Sequence, residues 1–222
     1  MSEDNLFTKL VWNEKWRGGK KQIQYKHLII FDLLKPEDKD KRICDIGCGN
    51  CILFDILKKE GFPVANMLGV DYSESSIKIC REKGYSVVQR NFWDLNIKCD
   101  LVILVDVLEH LYPPNLVMKK IKEISKEAII VVPNFNFILQ RIEVLLGKVP
   151  FQNKVNRGGH IVWFNHKFLR NLVTSSGFEI IKEVHCYPKM YSKRWKVITK
   201  FFEKFPNIFA LEFGVRIKAK GD

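Results

Sequence analysis

The chain has 222 residues, a length typical of one domain that can bury its own core without help from disulfide bridges. The net charge of +12 comes entirely from the second half, because residues 1–111 carry 17 basic and 17 acidic side chains whereas residues 112–222 carry 20 and 8. The first residues are polar and acidic and no apolar run approaches 18 residues, so we expect neither a signal peptide nor a membrane span.

The cysteines indicate a reducing, cytoplasmic environment. Most of them lie in apolar runs, where a free cysteine behaves as a small hydrophobic residue. No second CxxC pair follows the first three, so we predict no metal site. The six are Cys44, Cys48, Cys51, Cys80, Cys99 and Cys186.

Residues 1–41 are predicted to form a helical N-terminal extension, since Ile23, His27, Ile30 and Leu34 recur at helical spacing. From residue 42 onward, strand and helix signals alternate. Apolar runs of strand length predict strands at 42–46, 66–71, 85–89, 100–106 and 128–132. Helix signals lie between them at 52–60, from an N-cap at Ser73 to Gly84, and from an N-cap at Asn115 to about Ser125.

After residue 134 the alternation is interrupted. A helix is predicted over 166–176 and two strands over 178–186 and 209–219, which can pair as a hairpin with a long excursion between them. The predicted fold is α/β: a Rossmann-like parallel sheet with an antiparallel last strand and helices on both faces. We expect it to span residues 42–222, with inserted lid segments at about 135–165 and 187–208.

The strongest chemical signal is a strand that ends in an acid and runs into a Gly-x-Gly turn. Gly47 and Gly49 allow the backbone to turn sharply and let a ligand approach closely. The helix that follows offers free N–H groups to an anion, and Asp45 can hold a cationic amine beside it. This pairing suits an amino acid. The dinucleotide fingerprint fails, because Ile52 stands where its third glycine belongs.

Residues 42–134 resemble the class I S-adenosylmethionine (SAM)-dependent methyltransferases. The similarity is to the small-molecule type, such as the O-methyltransferases of ubiquinone biosynthesis. It rests on the Gly-x-Gly turn, on Asp71 at the end of the second strand, and on the run Asp106-Val107-Leu108-Glu109-His110-Leu111 after the fourth.

The resemblance implies SAM as cofactor, S-adenosylhomocysteine (SAH) as product, and a role for each matching residue. The turn with Asp45, Gly47, Cys48 and Gly49 is implied to contact the methionine part, and Asp71 the ribose hydroxyls. Tyr72 and Phe92 are implied to pack on the adenine, and Val105 and Asp106 to face the cofactor. The sequence departs from the family at Cys51, usually a glycine, and at Asn91, usually an acid that accepts the adenine amino group. A carboxamide oxygen can still accept that bond, and Asp94 is the rival for the role.

Methyl transfer depends on holding the acceptor in line with the sulfonium, and a base is needed only if the acceptor must lose a proton. His160, in the loop Gly158-Gly159-His160, and His110 are the candidate catalytic residues. A purely structural role stays open for both. His166 is expected to be a helix cap or a surface residue.

The acceptor is expected to contact the inserted segments. The first carries Phe135, Ile138, Leu139, Ile142, Leu145 and Leu146 at helical spacing. The second carries an apolar stripe of Ile198, Phe201, Phe202 and Phe205 beside a basic stripe of Lys196, Lys200 and Lys204. Such a helix suits an anionic membrane surface, or packs on its own core with solvated lysines.

We predict a methyltransferase acting on a small molecule, with oxygen as the methylated atom and an acceptor that is anionic or lipid-like. A nucleic-acid methyltransferase is the alternative favoured by the basic second half. Asp106-Val107-Leu108-Glu109 stands where the amino-directed base methylases place Asn/Asp-Pro-Pro-Tyr, and this disfavours that subclass. A SAM-binding module without catalysis is the third reading.

Overall fold

The computed structural model of the chain describes residues 25–150, 160–187 and 196–221, and side chains from residue 26 in the first range and residue 200 in the last. Ile23, Gly158 and Gly159 lie outside the described residues. The side chains of Lys196 and Ile198 lie outside them too, so the stripes expected on the second insertion are described only in part.

Seven strands form one sheet in the order β3-β2-β1-β4-β5-β7-β6. The first five run parallel, and β7 runs antiparallel to both of its neighbours. This confirms the Rossmann-like fold with an antiparallel last strand. The strands are β1 Ile43–Ile46, β2 Met67–Asp71, β3 Val87–Gln89, β4 Leu101–Val105, β5 Glu127–Pro133, β6 Phe178–Cys186 and β7 Glu212–Ala219.

Eight α-helices are found in the described part of the chain, in addition to short 3-10 turns. They are α1 Tyr25–Leu33, α2 Ile52–Lys59, α3 Glu74–Glu82, α4 Pro114–Ile124, α5 Ile138–Leu145, α6 His166–Ser175, α7 Lys196–Glu203 and α8 Pro206–Phe209. No helix among the described residues is both long and apolar enough to cross a membrane.

The sheet is buried on both faces, which explains why its central strands read as unbroken apolar runs. In β4, Val102 and Leu104 belong to the core cluster on one face, and Leu101 and Ile103 to the cluster on the other. Helices α4 and α6 cover the first face, and α1 and α2 cover the second.

The N-terminal helix α1 packs directly on the last strand. A Cβ atom at Gly214 would lie 2.0 Å from the Cγ2 atom of Ile29, so only glycine lets α1 approach β7 this closely. The structure thus contains a helix over Tyr25–Leu33 that packs against the sheet.

A buried ion-pair network fixes this end of the chain. Arg216 is fully buried and donates to both carboxylate oxygens of Asp38, at 2.5 and 2.9 Å, to Glu127 at 2.6 Å and to the carbonyl oxygen of Leu33 at 3.1 Å. Lys41 lies 3.0 Å from Asp38 and from Glu127. Burial acts to raise the pKa of Asp38, but the hydrogen bonds from Arg216, Lys41 and a backbone N–H hold it below its ordinary value.

Some predicted boundaries are wrong for local reasons. Asn115 is not the N-cap of α4, because Pro113 occupies that position and Pro114 is the first helical residue. Ser73 is confirmed as the N-cap of α3, since its hydroxyl accepts from the N–H of Ser76. Strand β3 begins at Val87 rather than at residue 85, because Tyr85 instead packs at the end of α3.

The first inserted segment contains α5, whose apolar side chains face outward. Leu139, Ile142, Leu145 and Leu146 are all exposed, and the one buried residue of the helix is Gln140. In the second segment, the ring of Phe202 stacks on Phe209 at 4.4 Å while Phe201 and Phe205 are exposed.

Candidate functional site

Two cavities adjoin at the carboxyl ends of the parallel strands, where the strand order changes direction between β1 and β4. The larger has a volume of about 650 Å³ and is lined by residues that follow β1, β2, β3 and β4. The smaller has a volume of about 250 Å³ and lies between the glycine turn and α1. Gly47 lines both cavities, so one elongated ligand can occupy the two together.

The glycine turn needs its glycines. Gly47 and Gly49 have φ values of 73° and 51°, and a Cβ at Gly47 would lie 2.4 Å from the Cγ2 atom of Val107. The N–H groups of Gly47 and Cys48 donate to the carbonyl oxygen of Val70, at 2.7 and 3.1 Å, and so anchor the turn to β2. Cys51 also has a left-handed φ, of 58°, which is the conformation that the family's usual glycine adopts without strain.

Asp45 is buried at the end of β1 and lines the smaller cavity. Burial, followed by the nearby charge of Asp71, raises its pKa to about 8, while the charge of Lys26 acts in the opposite direction. Lys26 comes from α1 and lines the same cavity. A cationic group bound here would therefore favour the ionised form of the Asp45 carboxyl group.

The carboxylate of Asp71 lies at the end of β2, between the two halves of the site. It accepts from the N–H of Gly49 at 2.9 Å and from the N–H of Ser73 at 2.8 Å. A carboxylate has about four acceptor positions, so two remain for a ligand that carries vicinal hydroxyls. Tyr72 follows on the rim of the larger cavity, and 79% of its surface is exposed.

Asn91 and Phe92 line the larger cavity, whereas Asp94 is not among its lining residues. The side-chain oxygen of Asn91 accepts from the N–H of Trp93 at 3.0 Å and caps the 3-10 turn Phe92–Asp94. Phe92 is buried and meets Trp93 edge-on, with ring centroids 5.1 Å apart. Asn91, the residue that the resemblance implies for the adenine amino group, thus lines the cavity. Its side-chain oxygen already accepts the hydrogen bond from Trp93.

At the end of β4, Val105 lines the smaller cavity and Asp106 the larger. Asp106 has a left-handed φ of 52°, and its Oδ2 atom accepts from the amine of Lys26 at 2.8 Å. Its other oxygen has no hydrogen-bond partner among the described residues. Burial, and then the charge of Asp106, raises the pKa of Glu212 to about 8, so several acidic groups converge on one lysine.

The two candidate catalytic histidines contact each other beside the larger cavity, which His110 lines. The rings of His110 and His160 have centroids 4.9 Å apart, although 50 residues separate them in the chain. The loop that carries His160 is held by its backbone, because the N–H groups of Ile161 and Val162 both donate to the carbonyl oxygen of Glu109 at 3.0 Å. Burial, followed by the charge of His110, lowers the pKa of His160, so its imidazole is neutral at physiological pH.

The cysteines do not all behave as expected. Cys51 and Cys80 form a disulfide with a Cα–Cα distance of 5.7 Å, so the expectation of six free thiols is wrong for this pair. The other four are free. The bridge links Cys51, which follows the glycine turn, covalently to α3. It thereby stabilises the conformation of the turn.

A second histidine cluster lies away from both cavities. Glu183 accepts from His166 at 2.6 Å, from His185 at 3.0 Å and from Arg170 at 2.5 Å. The N-cap of α6 is Asn165, so His166 is neither the cap nor a free surface residue. Its ring instead joins α6 to β6.

Sequence reasoning missed Lys26 and Glu212. Lys26 precedes the glycine turn by about twenty residues and Glu212 follows it by more than 160, so no local motif contains either one. The contact between α1 and β7 brings both to the site.

The family comparison agrees with this geometry. A family model described as a methyltransferase domain matches residues 20–183. No curated protein sequence matches the chain significantly.

Several solved structures share the fold at low sequence identity. A SAM-dependent methyltransferase from Archaeoglobus fulgidus has a TM-score of 0.61 at 21% identity, over 94% of this chain and 98% of that one. The magnesium protoporphyrin IX methyltransferase of Synechocystis PCC 6803, solved with bound SAH, has a TM-score of 0.60 at 14% identity, over 96% and 93%. A possible histamine N-methyltransferase from Thermotoga maritima has a TM-score of 0.60 at 17% identity, over 88% and 87%.

A parallel sheet with a glycine turn at its switch point and an acid after β2 defines a nucleotide-cofactor enzyme of the Rossmann-like class. The chain belongs to the methyltransferase domain family, and it is a SAM-dependent methyltransferase.

Proposed function

We propose that this enzyme transfers the methyl group of SAM to an oxygen atom of a small-molecule acceptor. The observation that carries the proposal is that His110 lines the larger cavity together with Asp106 and that the ring of His160 packs against the ring of His110. Imidazoles placed next to the cofactor site suit an acceptor hydroxyl that must lose a proton as the methyl group arrives.

We further propose that the two cavities divide the cofactor between them. The adenosine part would occupy the larger, with Asp71 on the ribose hydroxyls and Asn91, Phe92 and Tyr72 around the adenine. The methionine part would occupy the smaller, with its ammonium near Asp45 and its chain along Gly47, Cys48, Gly49 and Val105. The sulfonium then lies where the cavities adjoin, close to Asp106.

The acceptor would approach from the side of His110 and His160. A small molecule is favoured over a nucleic acid because the turn after β4 holds Glu109, which is buried, and His110, with no Pro-Pro-Tyr motif to stack on an extruded base.

The segments at about 135–165 and 187–208 are proposed as the lids of this site and as the place where an apolar or lipid-like acceptor arrives. Exposed Leu139, Leu145 and Leu146 on α5, with Phe201 on α7, support peripheral contact with an anionic membrane. We also propose a cytoplasmic location, which the four free thiols support and the bridge between Cys51 and Cys80 opposes. The membrane proposal requires binding to anionic vesicles that weakens with salt; absence of binding at low salt contradicts it.

Methyl transfer from isotopically labelled SAM tests the function. The protein is incubated with labelled SAM and either low-molecular-weight metabolites, lipid extract or RNA, and the labelled product is recovered from each fraction. We expect label in a metabolite or lipid, in a bond of ether or ester stability. Label found only in RNA contradicts the small-molecule proposal.

A further inference from the structure

Three side chains that can ligate a metal ion meet beside the larger cavity, and one of them, His110, lines it. They are Glu109, His110 and His160, and one ligand atom of each lies within 4.8 Å of the other two. The Nε2 atom of His160 is 3.7 Å from the Oε1 atom of Glu109, too far for a hydrogen bond. Glu109 and His160 therefore lie close together without a hydrogen bond between their side chains.

Glu109 is the unusual member of the cluster. Its side chain is 1% exposed, and neither carboxylate oxygen has a hydrogen-bond partner among the described residues. A buried carboxylate without a partner is unfavourable, and a bound cation removes that cost. Asp106 adds a further unpartnered oxygen and negative charge nearby.

The backbone holds this arrangement in place. The carbonyl oxygen of Glu109 accepts from two successive N–H groups, of Ile161 and Val162, so the loop with His160 is fixed to the turn with Glu109 and His110. A site assembled from two segments in this way keeps its geometry without the ion.

We infer that Glu109, His110 and His160 bind a divalent first-row transition-metal cation. Two imidazoles and one carboxylate suit such an ion better than Mg²⁺, which prefers oxygen ligands alone. Metal–ligand bonds of about 2.0–2.2 Å place ligand atoms roughly 3–4 Å apart, so side-chain rotations of about 1 Å complete the shell. Three protein ligands leave a position open toward the cavity.

The role that we infer for the ion rests on the proposed function, which is methyl transfer to an oxygen atom. A cation facing the cavity would bind the acceptor oxygen and lower its pKa. With both imidazoles bound to the cation, the acceptor proton would pass to solvent water, and His110 and His160 would act by holding the cation that favours its loss.

The other two clusters of potential ligands are weaker candidates. The oxygens of Glu183 already accept from His166, His185 and Arg170. In the cluster of Cys48, Cys51 and Cys80, two of the three sulfurs form the disulfide. Glu109 differs because neither of its carboxylate oxygens has a hydrogen-bond partner among the described residues.

The test is a titration of the full chain, stripped of metal with a chelator, with CoCl₂. Calorimetry measures affinity and stoichiometry, and the visible absorption of Co²⁺ reports nitrogen ligation. We expect one Co²⁺ per chain and much weaker binding of Mg²⁺. Glu109→Gln and His160→Ala should each lower the Co²⁺ affinity at least about tenfold. His185→Asn, which removes an imidazole from the other cluster, should leave it unchanged.

Glu109→Gln keeps the side-chain shape, so the variant is expected to fold, and a thermal melt checks this. No Co²⁺ binding, affinity unaffected by Glu109→Gln and His160→Ala, or loss of binding with His185→Asn overturns the inference. SAH binding and methyl transfer are measured on the same samples. If these persist without metal binding, only the inference fails; if Co²⁺ binds but no acceptor is methylated, only the proposed function fails.

Discussion

The backbone N–H of Gly49 donates a hydrogen bond to the Oδ2 atom of Asp71 at 2.9 Å. This bond joins the glycine turn after β1 to the end of β2, so the carboxylate proposed to bind the ribose also holds the turn proposed to contact the methionine part. Because Asp71 accepts from Ser73 as well, its orientation is set before any ligand arrives.

Replacing Asp71 should therefore weaken cofactor binding. Asp71→Ala is expected to reduce the free energy of SAH binding by about 1–3 kcal/mol, the loss typical of hydrogen bonds to a charged group. Asp94→Ala is the matched control, because Asp94 is exposed and does not line the cavity. Calorimetry of both variants checks the prediction, and equal affinities would refute the ribose assignment.

The raised pKa of Asp45 predicts a pH-dependent affinity. Burial and the charge of Asp71 raise that pKa to about 8, so below this pH the free protein must release a proton before Asp45 can pair with the ligand's ammonium. SAH affinity should rise with pH, by at most about tenfold per unit, and level off above about pH 8. Titrations in two buffers of different ionisation enthalpy measure the proton released.

Asp45→Asn supplies the control for the pH effect, since it keeps the shape of the side chain but cannot ionise. Its SAH affinity should be lower than that of the wild type above pH 8, and should change little with pH. If the wild type shows a flat profile with no proton release, Asp45 does not meet a cationic ligand.

The buried network around Arg216 predicts a large stability effect. Arg216→Ala leaves the carboxylate of Asp38 buried with fewer partners, so the free energy of unfolding should fall by about 3–5 kcal/mol. Arg170→Ala, which removes a half-exposed arginine from Glu183, should cost about 1 kcal/mol or less. Urea unfolding of both variants gives the comparison, and similar losses would contradict the account.

The position of His160 predicts an effect on turnover without one on the cofactor. His160→Ala should lower kcat about 10²–10⁴-fold, the range for a group that assists proton transfer, while SAH affinity stays near that of the wild type. His185→Asn, away from the cavities, should keep its turnover per folded molecule. Full activity in His160→Ala would show that the acceptor needs no help from this residue.

The strand ends could be predicted from the sequence because each of them combines a local apolar run with a local polar stop. Asp45, Asp71 and Asp106 all lie where they were expected, since parallel strands bring their carboxyl ends to one edge of the sheet. The glycine turn was equally visible, because the positive φ values at Gly47 and Gly49 require that residue type.

The remaining parts of the site depend on contacts that no local pattern contains. Lys26 reaches Asp106 across 80 residues, and this contact requires α1 to pack where Gly214 leaves room. The disulfide between Cys51 and Cys80 joins positions 29 residues apart, and apolar surroundings gave the pair the same sequence signature as the four free thiols.

The outward apolar face of α5 shows what periodicity leaves open. Helical spacing of Leu139, Ile142 and Leu145 indicates which side chains share a face, and contact of that face with an acceptor stays a prediction. The structure shows that face exposed, because Gln140 is the residue that turns inward and donates to the carbonyl oxygen of Asn134. Periodicity defines a face without saying what covers it.

The central claim is that the adjoining cavities hold SAM, and calorimetric titration of the full chain with SAH tests it most directly. We predict that one SAH molecule binds per chain and that binding below pH 8 is accompanied by proton release. We also predict that a bulky residue at the point where the cavities adjoin, as in Gly47→Val, abolishes binding in a protein that still unfolds cooperatively. Absence of SAH binding to the wild type, or full binding by Gly47→Val, would contradict the claim.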